Sequence, residues 1–127
     1  MNVKSDTKEK FTVFSPQEPE ISANMAENLA KILLSNAEKE PPHIILNLAA
    51  VEKLAPETAL KLAEISAYFR EKRLSLVICC MAPQPASVIK ELDLEDHLNV
   101  TPTESEAWDI LQMEEIEREL LGGFDEE

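Results

Sequence analysis

Residues 44–69 read IILNLAAVEKLAPETALKLAEISAYF, and their pattern decides the fold class. Ile44, Ile45, Leu46 and Leu48 make a run with one polar position, Asn47. A strand this apolar is covered on both faces, as in a parallel sheet flanked by helices. Pro56 suits the first turn of a helix, where its missing N–H is no loss. Glu57 beside it complements the positive end of that helix. The helix then turns Ala59, Leu62, Ala63, Ser66 and Phe69 to one side. Glu57, Lys61, Glu64 and Tyr68 face the other, with Leu60 at the margin. Glu57 and Lys61 are spaced for a weak ion pair. A helix N-terminus just past the end of a central strand is where α/β folds carry function. The loop Glu52 to Thr58 is therefore the first place to look for chemistry.

On the N-terminal side, residues 1–10 are polar and read as a flexible segment. Phe11, Val13 and Phe14 predict a first strand. Gln17 to Glu20 is loop, and Ser22 is the N-cap of a helix reaching Asn36 with a stripe of Met25, Leu29, Ile32 and Leu33. Pro41 and Pro42 close that helix off. On the C-terminal side, Leu74 to Met81 predicts a second buried strand. A short helix bracketed by Pro83 and Pro85 carries Val88, Ile89 and Leu92, and a short last strand lies near Asn99 to Thr101. Thr103 and Glu106 form a capping box for a final helix, which Gly122 and Gly123 stop after Leu121. Strands and helices alternate four times. The fold class is α/β, with a largely parallel or mixed four-stranded sheet and helices packed on it.

The final helix carries two apolar stripes. Ala107, Ile110 and Leu111 lie on one side, and Met113, Ile116 and Leu120 on another. The distal stripe should pack on something other than the parent sheet: a second copy, a partner, or the chain's own N-terminal segment. From Thr101 onward there are ten acids and one base, Arg118.

The charge balance narrows the function. Among 127 residues, 25 acids stand against 12 bases, a net charge of −13. A nucleic-acid partner needs a cationic face, and so does an anionic membrane surface. Neither is expected. No signal peptide or membrane span is read in the sequence, and a reducing cytoplasm is the default location. Cys79 and Cys80 are neighbours on a strand, pointing to opposite faces, and read as small buried residues. His43 and His97 sit in no ligand-spaced motif, so no metal is expected. Gly occurs only twice, both in the tail, so there is no phosphate loop. No nucleophile stands beside a base. The chain is read as non-catalytic and without a cofactor.

The stretch 44–69 resembles the core of a STAS domain, the fold of anti-sigma factor antagonists and sulfate-transporter tails. That family's pattern runs from an apolar strand through Asp-Leu-Ser to Asp-Ser-Ser-Gly and an apolar helix. Asn47, Leu48 and Ala49 stand at the first motif, Val51 and Leu54 at the apolar anchors between. Ala55, Pro56, Glu57 and Thr58 stand at the second. Leu74 to Cys80 fits the next strand, and Ile89 to Leu94 fits a short helix whose usual glycine is Asp93 here. Thr103 to Trp108 fits the start of the last helix. The resemblance implies a STAS-like domain over residues 11–121, and residues 122–127 read as an acidic flexible tail.

It also implies a regulatory role through binding a protein such as an anti-sigma factor. The position of the family phosphoserine is Pro56, which has no hydroxyl, so gating by phosphate there is chemically excluded. Thr58 is the nearest hydroxyl. The expected partner surface is Glu57, Thr58, Leu60, Lys61 and Glu64, and a second candidate interface is Met113, Ile116 and Leu120. A structural or assembly subunit acting through the acidic last helix is an alternative, as is a small-ligand or nucleotide sensor.

Overall fold

The apolar run at the centre of the sequence becomes the central strand. The computed structural model describes residues 1–125. Its main sheet contains β1 (Val3–Thr7), β2 (Phe11–Pro16), β4 (His43–Asn47), β6 (Leu76–Cys79) and β7 (Val100–Thr101), in the order β1-β2-β4-β6-β7. A second, two-stranded sheet pairs β3 (Glu20–Ile21) with β5 (Lys53–Leu54). The helices are α1 (Ala26–Asn36), α2 (Pro56–Glu71), α3 (Pro83–Glu91) and α4 (Glu104–Asp125). All neighbours in the main sheet run parallel except β1 and β2, which are antiparallel.

Ile44, Leu46 and Ile78 turn into a core shared with Leu29, Leu33, Leu62, Ile65 and Phe69 of α1 and α2 and Ile89 of α3. Ile45, Val77 and Cys79 turn the other way and meet Ala107 and Leu111 of α4, beside Phe11 and Val13. Each fully buried aliphatic side chain contributes about 1.5–3 kcal/mol. The sheet is thus covered by three helices on one face and by α4 on the other, which is why β4 has no polar side to spare.

Several expectations change. In place of the flexible segment expected over residues 1–10, Val3–Thr7 pair along β2, Lys4 opposite Ser15 and Asp6 opposite Val13. Only Val3 is partly covered, so β1 is an edge strand whose backbone pairing, not side-chain burial, holds it. The expected four-stranded sheet becomes five strands plus the small β3–β5 sheet. β6 stops at Cys79 because Cys80 takes a left-handed backbone, φ 62°. α4 continues through Gly122 and Gly123 to Asp125, so those glycines do not end it. The expected flexible tail 122–127 therefore begins inside a helix, and residues 126–127 lie outside the described residues.

Two helix ends share one device. Arg73 and Asp93 have φ of 60° and 57°. Leu74 N–H donates to Phe69 O and Arg73 N–H to Arg70 O, while Leu94 N–H donates to Ile89 O and Asp93 N–H to Lys90 O. These are Schellman caps, each closed by an apolar contact from the residue after the left-handed one. Asp93 occupies the place of the expected glycine and keeps glycine's backbone conformation, which a short polar side chain tolerates.

α4 is held to the sheet by two different kinds of contact. Near its start, Leu111 and Ala107 are fully buried, and Trp108 stacks edge-on against Phe11 with ring centres 4.8 Å apart. One turn later the inward positions are charged. Ser75 Oγ donates to Glu114 Oε1 and accepts from Arg118. Asn99 donates to the other Glu114 oxygen at 3.0 Å. His43 Nε2 lies 3.1 Å from Glu115, which also pairs with Arg118. The Ser75 backbone N–H donates to His43 Nδ1 at 3.0 Å, so that nitrogen is unprotonated and the proton sits on Nε2, facing Glu115.

Burial, and then the Arg118 charge, hold His43 below the ordinary histidine value of 6.5, against the opposing pull of Glu115, Glu40 and Glu114. The unfolded chain therefore takes up the proton first. The stability from neutral His43 is complete above pH 6.5 and is lost as pH falls through the lower folded-state value. In urea titrations from about pH 7 down to about pH 5, His43→Gln should lose less stability than the parent chain. Equal losses would contradict a neutral His43 in the folded state.

Candidate functional site

The loop between β4 and α2 leaves the sheet at its C-terminal edge, and its backbone is tied down at nearly every residue. Asn47 Oδ1 accepts the Ala49 N–H at 2.9 Å, turning the chain sharply, while Asn47 Nδ2 donates to Glu104 at the start of α4. Val51 N–H returns to Leu48 O. Glu52 and Lys53 both donate to Pro19 O, at 2.7 and 3.0 Å, and Ala55 donates to Ile21 O at 3.1 Å. Gln84 of α3 accepts the Leu54 N–H at 2.8 Å. Val51 and Leu54 point down as fully buried anchors. Backbone groups with fixed partners leave a loop little freedom to rearrange.

The result is a preformed surface. Ala49, Ala50, Glu52, Pro56 and Glu57 are exposed on it. Pro56 is the first residue of α2, and Ala55 before it gives no side-chain cap. Leu60 is 46% exposed one turn on. Lys61 does not pair with Glu57 as expected. It reaches Glu27 on α1 at 3.0 Å and Glu64 at 3.8 Å, and the Glu27 hydrogen bond and charge raise its pKa. Its cation therefore ties α2 to α1, and the exposed acids Glu57 and Glu64 dominate this face.

Thr58, expected on the partner surface, is fully buried. Its hydroxyl points at two backbone carbonyls, Ile21 O at 3.3 Å and Ser22 O at 3.0 Å. It anchors α2 to the strand and turn that follow residue 19. Helical phase carries the signal, since Thr58 stands four residues before Leu62 and seven before Ile65, both buried. Sequence reasoning also missed Gln84, whose role depends on where α3 lands.

Elsewhere the chemistry is quiet. Cys79 is buried, and burial pushes its thiol far above the ordinary range, so it is inert as a nucleophile. Among the described residues no group of His, Cys, Asp and Glu could hold a metal ion. No described helix is long and apolar enough to cross a membrane. A groove of about 600 Å³ opens at the opposite edge of the sheet, where Arg70 and Arg118 meet Glu114, Glu117 and Leu121. The second candidate interface is exposed: Met113 at 60%, Ile116 at 57% and Leu120 at 63%.

Thr58→Val should leave the fold intact but cost about 1 kcal/mol in urea unfolding. It should also speed hydrogen exchange at the Ala55 amide. A variant as stable as the parent would contradict the anchoring role.

The chain matches no curated protein in sequence. Its fold is similar to a putative anti-sigma factor antagonist from Thermotoga maritima (14% identity, 87% of this chain and 94% of that one, TM-score 0.74). It is also similar to an anti-sigma factor antagonist from Mycobacterium paratuberculosis (22% identity, 87% and 93%, TM-score 0.69). A third similar structure is the anti-sigma factor antagonist SpoIIAA in its unphosphorylated form (14% identity, 87% and 96%, TM-score 0.69). At these identities the likeness concerns the fold. The STAS domain family model, however, matches residues 2–107, spanning every strand and the start of α4, and the chain belongs to the STAS domain family.

Proposed function

We propose that this chain is a non-catalytic regulatory module that works by binding another protein. Its docking surface is the C-terminal edge of the sheet, around Pro56, Glu57, Leu60, Lys61 and Glu64. The fold's likeness to anti-sigma factor antagonists supports a partner of the anti-sigma factor type. One observation carries the reading. The loop is held rigidly, yet its exposed apex has a proline where the family pattern implies a phosphoacceptor serine, and the next hydroxyl, Thr58, is sealed inside. A surface that is preformed and has no exposed hydroxyl at that point binds without a phosphate gate.

Glu57 does not substitute for a phosphoserine. A carboxylate carries about one charge and two acceptor oxygens, against roughly two charges and three oxygens for the phosphate. It acts instead as an acid at the helix N-terminus, and with Glu64 it favours a partner bearing Lys or Arg opposite α2. Leu60 supplies the apolar contact between them.

The test is affinity capture with the full chain from its native cell extract, followed by identification of the captured protein and intact-mass measurement of the chain. The expected bait is unmodified and retains one specific regulator. Glu57→Lys combined with Leu60→Asp, both at exposed positions, should weaken that capture at least about tenfold, a loss of some 1.4 kcal/mol. Unchanged capture by the double variant would reject the surface, and a stoichiometric phosphate on the native chain would reject ungated binding.

A further inference from the structure

The distal half of α4 is amphipathic the wrong way round. In a helix lying on a sheet the apolar stripe turns inward and the charges outward. From Gln112 onward the inward positions are Glu114, Glu115 and Arg118, engaged by Ser75, Asn99 and His43. Met113, Ile116 and Leu120 occupy the opposite side and are more than half exposed. The polar network clamps the helix in this rotation, so the stripe cannot reach the core by turning. The stripe also lies beyond residue 107, where the match to the family model ends.

The charge around the stripe says what covers it. Asp109, Glu117 and Glu119 are exposed beside it, and Arg118, the one base of this helix, is turned inward into the network. The charged residues of the outward face are therefore acids alone, set beside aliphatic side chains and Gln112. A second copy would set acids against acids, in a chain already carrying −13. The chain's own N-terminal segment is committed to β1.

We propose that the outward face of distal α4 is a docking site for an amphipathic helix of another protein, with an aliphatic stripe flanked by Lys and Arg. Met113, Ile116 and Leu120 receive the stripe in the manner of helix-to-helix packing. Asp109, Glu117 and Glu119 pair with the flanking cations and fix the partner's direction and register. This surface is separate from the one around Pro56, and its failure leaves that reading untouched.

The test titrates the full chain, by calorimetry, with two synthetic helical peptides. They share one leucine stripe and differ in carrying Lys or Glu along its edges. The Lys peptide should bind one to one, several-fold more weakly when salt rises from about 50 to about 300 mM, and the Glu peptide should not bind. Met113→Gln, Ile116→Gln and Leu120→Gln together should weaken binding more than tenfold while the circular dichroism stays unchanged. Should that variant fail to fold, Asp109→Lys with Glu117→Lys serves instead and should reverse the preference towards the Glu peptide. Absence of binding, or equal binding by the altered chains, overturns the proposal. So does a dimer in sedimentation velocity that the triple substitution abolishes, because a second copy would then be the occupant.

Discussion

Two backbone carbonyls, those of Pro19 and Ile21, hold together the C-terminal end of the parallel strands. They accept the amides of Glu52, Lys53 and Ala55, and the Thr58 hydroxyl reaches Ile21 O and its neighbour Ser22 O. Through these few bonds the connection before α1 is stitched to the connection before α2. The start of α2 is thereby fixed relative to both β4 and α1. Val51 and Leu54, buried below, convert the same loop into part of the core. A loop built this way is already ordered and presents its surface at no further ordering cost.

The opposite end of the sheet follows a different logic. There the second half of α4 is fastened by charge-assisted hydrogen bonds around Ser75, with Glu114, Arg118, Glu115 and His43 satisfying one another. Such a network loses geometry when any partner is missing, so it specifies one helix rotation more sharply than an apolar seam would. Its consequence is a row of exposed aliphatic side chains on the outer face. The two candidate surfaces thus sit at opposite ends of the parallel strands, one beside the start of α2 and one on the far half of α4.

Much of this was readable from the residues. The apolar runs at the centres of β4 and β6 announce strands covered on both faces, and the stripes of α1 and α2 announce the layer that covers one of them. Asp93, standing where the family pattern has glycine, adopts the left-handed backbone that glycine would supply. What was not readable depended on pairing across distance. Val3–Thr7 lacks an apolar face, and only the neighbouring β2 makes it a strand. β3 and β5 are two residues each, too short for any period to show. Lys61 was assigned to Glu57 by helical spacing, but Glu27 on another helix wins it. Thr58 is buried in phase with Leu62 and Ile65, so its inward direction is legible in the helical spacing alone.

The most direct test of a preformed docking loop is native-state hydrogen exchange at Glu52, Lys53, Leu54 and Ala55. With amide donors engaged by Pro19, Gln84 and Ile21, these four should exchange slowly and together, with protection close to that of the neighbouring turns of α2. Exchange at the rate of an unstructured chain would show that the loop is open in solution, and the account of a fixed, ungated surface would fail.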